Sequence, residues 1–72
     1  MRNEVGRIEE FIEQRIGEMR GISEWCYEIN NTLRPKKRFT NKELAFVFNK
    51  VIKNRGFSID YRSAPIQYAF YH

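Results

Sequence analysis

Apolar residues between positions 39 and 57 recur at helical spacing and give the clearest secondary-structure signal in the chain. The i, i+3, i+4, i+7, i+8 stripe consists of Leu44, Val47, Phe48, Val51 and Ile52. Thr40 and Glu43 have the spacing of a capping box, in which each side chain binds the other residue's backbone N–H. Gly56 can take the left-handed conformation that ends a helix. These signals predict a helix over residues 41–55.

Two earlier segments also carry apolar residues at helical period. Over residues 4–20 these are Val5, Ile8, Phe11, Ile12, Ile16 and Met19, and over residues 24–33 they are Trp25, Cys26, Ile29 and Leu33. Gly6 and Gly17 would each weaken the first helix by about 1 kcal/mol relative to Ala. Ser23 is a candidate N-cap for the second helix. The pattern therefore predicts helices over residues 4–20 and 24–33.

After Gly56 the period changes from 3.6 to 2, which is typical of strands. Aromatic and β-favouring residues alternate with others over residues 57–62 and again over 66–71. With a turn at Ser63-Ala64-Pro65 these two runs would form a hairpin. In a rival interpretation, Ser63 is an N-cap and residues 64–71 form a last short helix. The preferred prediction is a single α+β domain over residues 1–72, mostly α, with three helices followed by a C-terminal β-hairpin.

Composition narrows the classes of function. Six Phe, four Tyr and one Trp in 72 residues compensate for the marginal core of so short a chain, and dimerisation would help further. One Cys and one His, Cys26 and His72, are too few for a structural zinc site or an internal disulfide. No metal, cofactor or catalytic residue is expected, and a reducing cytoplasm is the expected location. No apolar run approaches the roughly 20 residues that span a bilayer, so no membrane partner is expected.

Charge is distributed unevenly along the chain. Residues 1–33 hold four Arg and seven Glu, a net charge of −3, whereas residues 34–72 hold nine Lys or Arg against Glu43 and Asp60, a net charge of +7. Such asymmetry indicates an acidic partner for the basic half, with nucleic acid the commonest one. The alternative is that the two halves attract one another within a dimer.

The face of the 41–55 helix opposite its apolar stripe is the main candidate binding surface. At about 100° per residue, that face carries Lys42, Phe46, Asn49, Lys50 and Lys53. Lys and Asn are common partners of phosphates and base edges. Three interpretations of Phe46 stay open: a nucleic-acid contact, a stray exposed ring on a solvated face, or a ring buried in a dimer or under the C-terminal segment.

The densest cluster of cations lies just before this helix. Lys36, Lys37 and Arg38 lead directly into the cap at Thr40, where the first amides of the helix favour anions. A phosphate could sit between this run and the first turn of the helix. A solvated basic loop is the alternative.

The order of elements resembles that of winged helix-turn-helix DNA-binding domains, in which three helices precede a two-stranded hairpin. The run Thr-Asn-Lys-Glu-Leu-Ala at 40–45 is similar to the start of a helix in many such proteins. The resemblance implies that residues 41–55 are the recognition helix and that residues 62–65 are the wing, with Arg62 its one cation. The linker of residues 34–39 is longer than the tight turn of that family.

Two hypotheses follow for function. The first is a small basic DNA-binding protein, regulatory and homodimeric, that binds duplex DNA. Its phosphate contacts would be Lys36, Lys37, Arg38, Lys50, Arg55 and the wing residue Arg62, and its groove contacts would be Lys42, Phe46, Asn49 and Lys53. The second is a protein-binding module or inhibitor, of the kind that phages and plasmids encode, which docks a basic and aromatic face on an acidic protein. An exposed patch joining Phe46 to Tyr61, Tyr68 and Tyr71 would favour the second.

Overall fold

The computed structural model describes residues 3–62 and 64–72, and it confirms the α+β class with three helices and a C-terminal hairpin. In chain order the elements are α1 (Glu4–Glu13), β1 (Arg20–Gly21), α2 (Ile22–Leu33), α3 (Asn41–Arg55), β2 (Ser58–Arg62) and β3 (Gln67–Tyr71). The rival helix over residues 64–71 is wrong, because Gln67–Tyr71 is a strand paired with β2. Ser63, the predicted turn residue or N-cap, lies outside the described residues.

Helix α3 has the bounds and both end signals that the sequence predicts. The Thr40 hydroxyl accepts the backbone N–H of Glu43 at 3.1 Å, and the Glu43 carboxylate accepts that of Thr40 at 3.0 Å. Gly56 closes the helix in the left-handed conformation, with φ +71°, and donates its N–H to the Ile52 carbonyl. Both ends are therefore fixed by local hydrogen bonds, as expected of a capping box and an αL cap.

Helix α1 ends at Glu13, so the predicted extension to residue 20 is wrong. Gly17 has φ +86°, which leaves the right-handed helical region. Its N–H donates to the carbonyl of Phe70 at 2.9 Å, and the chain then joins the sheet as β1. Gly17 and strand β1 thus find backbone partners in the hairpin, whereas the Glu18 N–H donates to the Arg15 carbonyl in a turn.

Helix α2 begins at Ile22, two residues earlier than predicted, and ends at Leu33. Its N-cap is Gly21, which has no side chain to bind the first amides, so the prediction that Ser23 caps the helix is wrong. The Ser23 hydroxyl instead accepts a hydrogen bond of 3.0 Å from the Asn41 side chain. This bond ties the first turn of α2 to the first turn of α3.

The three strands form an antiparallel sheet in the order β1-β3-β2. Strands β2 and β3 begin one residue later than the predicted 57–62 and 66–71, and the register places Ile59 opposite Phe70 and Tyr61 opposite Tyr68. Strand β1 is short, pairing Arg20 with Tyr68 on the other side of β3. The hairpin is thereby fastened to the start of α2.

Trp25 is the centre of the core that joins the helices to the sheet. Its ring is fully buried and makes edge-on contacts with Phe11 of α1, Phe48 of α3 and Phe70 of β3, with centroids 5.6–6.2 Å apart. Its indole N–H donates to the Tyr68 carbonyl at 3.0 Å. The buried cluster consists of Ile8, Phe11, Ile12, Trp25, Cys26, Ile29, Leu44, Phe48, Val51, Phe57 and Phe70. Because α3 contributes three of these side chains, its opposite side is fixed outward.

Candidate nucleic-acid interface

The outward side of α3 brings five of the predicted site residues together. Its core side is set by the buried residues Leu44, Phe48 and Val51. At about 100° per residue, the residues on the opposite side fall within an arc of roughly 100°. They are Lys42, Phe46, Asn49, Lys50 and Lys53, all exposed, and we call this surface the α3 outer face. It is about 16 Å long at a rise of about 1.5 Å per residue.

Phe46 is the apolar centre of the α3 outer face. Its side chain is 62% exposed, and the Lys50 ammonium lies 4.9 Å from the centroid of its ring. Asn49, Lys50 and Lys53 line a shallow groove on one side of the ring. The interpretation that buries Phe46 under the C-terminal segment is therefore wrong. No tyrosine lines the grooves beside Phe46 in the part of the chain that the structure describes.

A second groove on the other side of Phe46 is more apolar. It is lined by Phe39, Lys42, Glu43, Phe46 and Val47. Phe39 and Val47 are half-buried against the core, so their exposed edges extend the apolar surface of the Phe46 ring. The surface as a whole is an aromatic ring between cations, with a small apolar area formed by Phe39 and Val47 at one end.

The lysines of the α3 outer face are not neutralised by the fold. Among residues 3–62 and 64–72, no carboxylate forms an ion pair with Lys42, Lys50 or Lys53. Solvated ammonium groups can exchange water and counterions for the phosphates of a ligand. Three free cations within a stretch of about 16 Å are a chemically competent surface for a polyanion.

Arg55, predicted to contact phosphate, lies elsewhere. It stands about 20° around the helix from Leu44, on the core side, where it meets α1. Its guanidinium pairs with Glu9 at 3.2 Å and also with Glu13. This cation therefore joins α3 to α1. The sequence could have predicted its position, because a rotation of about 100° per residue places Arg55 on the inner side of the helix.

The loop cations before α3 are exposed, and two of them have neighbours. Arg38 donates to the Asn31 side chain of α2 at 3.3 Å. The charge of Lys37 contributes to lowering the pKa of Glu43 in the first turn of α3. Lys36 is fully on the surface. The cluster thus flanks the start of the α3 outer face at Lys42.

The start of α3 already holds a negative charge of its own. Hydrogen bonds from the backbone N–H and side chain of Thr40 are the main reason that the pKa of Glu43 is lowered, with Lys37 adding to them. The ionised carboxylate sits where the sequence prediction places a phosphate between the loop and the first turn. An anion bound by Lys36 or Lys37 would therefore lie beside this turn and not on its axis.

Asn30 positions the loop and α3, and sequence reasoning missed it. Asn30 is buried, and its side-chain amide both accepts the Phe39 N–H at 2.8 Å and donates to the Phe39 carbonyl at 3.1 Å. The Cys26 thiol donates to the same carbonyl at 3.1 Å. Phe39 directly precedes the N-cap Thr40, so these bonds, which we call the Asn30 clamp, fasten the start of α3 to α2. A buried Asn in a helix was the available signal, since such a residue needs partners.

Arg62 is exposed at the end of β2, where its guanidinium pairs with Asp60 of the same strand at 2.6 Å. It does not line either groove beside Phe46. Of the predicted site residues, the structure thus brings Lys42, Phe46, Asn49, Lys50 and Lys53 together on the α3 outer face, and it places Arg62 on the hairpin.

Burial is the main reason that the pKa of the Cys26 thiol is raised, which disfavours the nucleophilic thiolate. No three His, Cys, Asp or Glu side chains within residues 3–62 and 64–72 come together as metal ligands. Over the same residues, every helix is too short or too polar to cross a bilayer.

Comparisons of this chain with protein-family profiles, with curated proteins and with solved structures give no match.

Proposed function

We propose that this protein binds duplex DNA by placing the α3 outer face in the major groove, and that its role is regulatory. The major groove admits an α-helix, and each base pair presents a distinct pattern of hydrogen-bonding groups there. Asn49 has the chemistry to bind adenine, and the Phe46 ring has the chemistry to contact a thymine methyl. Lys42, Lys50 and Lys53 supply the charge that attracts the phosphates.

The observation that carries the proposal is the exposed ring of Phe46 beside lysines that form no ion pair within residues 3–62 and 64–72. A large apolar side chain that is 62% exposed on a cationic helix face contributes favourably to binding when the ligand combines negative charge with apolar edges. Duplex DNA has both. The order of three helices and a hairpin adds support through its resemblance to winged helix-turn-helix domains, in which α3 would be the recognition helix.

Binding of a random-sequence duplex, followed by fluorescence anisotropy, tests the proposal. Lys53→Gln should weaken binding about tenfold, since a hydrogen bond to a charged group contributes about 1.5 kcal/mol. Arg55→Gln is the matched control, because it removes the same charge from the same helix but on the side that faces α1. Its affinity should stay within about twofold of the wild-type value. No binding at low salt, or equal losses in the two variants, would overturn the proposal.

A second candidate function is supported by the apolar groove of Phe39, Phe46 and Val47. Aromatic anchors in such grooves dominate protein–protein contacts, so the same surface could hold an acidic protein. Capture from nuclease-treated extract distinguishes the two functions. If Phe46→Ala abolishes capture of an acidic protein while DNA affinity is unchanged, the second function is the correct one.

A further inference from the structure

Strand β2 leaves one edge of the sheet open. The strand order β1-β3-β2 puts β2 at the border, where five residues, Ser58–Arg62, have a strand neighbour on one side only among residues 3–62 and 64–72. An unpaired strand edge is a template for another strand, and natural proteins usually protect it with charge, proline or a covering segment.

The register shows which backbone groups of β2 face outward. The Phe70 carbonyl accepts the Gly17 N–H, so the backbone groups of Phe70 point away from β2. Phe70 is directly opposite Ile59, and that pair is therefore a non-hydrogen-bonded pair of the antiparallel ladder. The N–H and C=O groups of Ile59, and by alternation those of Tyr61, consequently point away from the sheet. Neither residue makes a backbone hydrogen bond in a turn, loop or cap of the described chain.

The side chains of this edge are self-complementary. Asp60 and Arg62 point to the same face of β2 and pair with each other at 2.6 Å, so the edge carries no net charge that would repel a second strand. Tyr61 between them is 55% exposed, although its ring lies against Tyr68 with centroids 4.9 Å apart. A second copy of β2, lying antiparallel to the first, is such a partner. It offers an Arg opposite Asp60 and an Asp opposite Arg62.

We propose that β2 pairs with β2 of a second copy of this chain, antiparallel and with Tyr61 on the two-fold axis. In this register Asp60 lies opposite Arg62 of the second copy, and Arg62 lies opposite its Asp60. The two Tyr61 residues exchange both backbone hydrogen bonds, which agrees with their outward-facing N–H and C=O groups. The contact is isologous and closed, so it forms a dimer with a six-stranded sheet and no fibre.

Charge selects this register over its neighbours. A two-fold axis at Asp60 would put two carboxylates opposite each other, and like charges directly opposite are destabilising. An axis at Ile59 would put Asp60 opposite Ser58 and Arg62 opposite Gly56, so that no charge pair would form between the two strands. No residue of the α3 outer face takes part in this contact, so dimerisation and DNA binding can be tested independently. In this pairing Arg62 contacts the second copy and not phosphate.

Cysteine cross-linking tests the register. Tyr61→Cys should oxidise to a covalent dimer, because facing residues of a hydrogen-bonded pair have Cα atoms about 5.5 Å apart, within disulfide reach. Ser58→Cys is the matched control on the same strand, and its exposed thiols would lie about 20 Å apart at about 3.4 Å per residue. Wild-type protein is the second control, since its own Cys26 is buried. Equal cross-linking at positions 61 and 58, or none at 61, would overturn the register.

Charge reversal tests the pairing without a covalent bond. Arg62→Asp should weaken dimerisation at least about tenfold, as measured by sedimentation equilibrium, because two favourable cross-strand pairs become repulsive. Adding Asp60→Arg to that variant exchanges the charges and should restore the wild-type dimer. Circular dichroism confirms that each variant is folded. A wild-type chain that stays monomeric, or a double variant no better than the single one, would contradict the proposal.

Discussion

Asn30 shows how one buried amide can fasten one helix to the start of another. The Asn30 clamp satisfies both backbone groups of Phe39, the residue before the N-cap of α3. Asn30 is not one of the apolar positions that predict α2. The partner lies nine residues away across a loop, and no local periodicity reports such a contact. Helical spacing could be predicted here, but the polar contact that orients the helix could not.

Replacing Asn30 by Ala should lower the free energy of unfolding by about 2 kcal/mol, because it leaves the partly buried N–H of Phe39 without its partner. Urea denaturation followed by circular dichroism measures the change. Asn31→Ala is the matched control, since Asn31 is exposed and makes only a 3.3 Å bond to Arg38. Its effect should stay within about 0.5 kcal/mol. Equal losses for the two variants would show that the clamp does not stabilise the fold.

At the scale of elements, α3 could be predicted completely and α1 only at its start. Both end signals of α3 are local, residing in Thr40, Glu43 and Gly56, so the sequence contains them. The end of α1 depends on the bond between Gly17 and Phe70, which are far apart in the chain. Ile16 and Met19 match the helical period although they lie beyond the end of the helix. Tertiary hydrogen bonding therefore overrides a pattern that is locally consistent with a longer helix.

Gly17→Ala distinguishes the two descriptions of this segment. Inside a helix extending to residue 20, alanine would raise the free energy of unfolding by about 1 kcal/mol. At the observed φ of +86°, alanine should instead lower it by about 1–2 kcal/mol, because the left-handed region is unfavourable for a residue with a Cβ atom. Thermal or urea denaturation gives the sign directly. A variant more stable than the wild type would instead support a helix that extends to residue 20.

The capping box of α3 should make stability depend on pH. The pKa of Glu43 is lowered from its ordinary value of 4.5, mainly by the Thr40 N–H. Its contribution is therefore fully present above 4.5 and is lost as the pH falls from there through the lowered folded-state pKa. Glu43→Gln keeps the hydrogen-bonding shape but does not titrate. The wild type should exceed this variant in stability at neutral pH, and the difference should shrink in acid. A difference that does not change with pH would contradict the assignment.

At the scale of the whole molecule, the charge asymmetry of the sequence has two outcomes. One is internal, since Arg55 of the basic half pairs with Glu9 and Glu13 of the acidic half. The other is external, since Lys42, Lys50 and Lys53 face solvent on the α3 outer face. Composition alone predicts that an acidic partner exists. The packing of α3 on α1 shows which cation joins the two helices and which cations face solvent.

The most direct measurement is the salt dependence of duplex DNA binding, plotted as the logarithm of the association constant against that of the salt concentration. Each phosphate contact contributes a slope of about −0.9. Replacing Lys42, Lys50 and Lys53 together by Gln should make the slope less steep by about 2.7 if all three contact phosphate. A slope identical to that of the wild type, or a wild type indifferent to salt, would contradict the account.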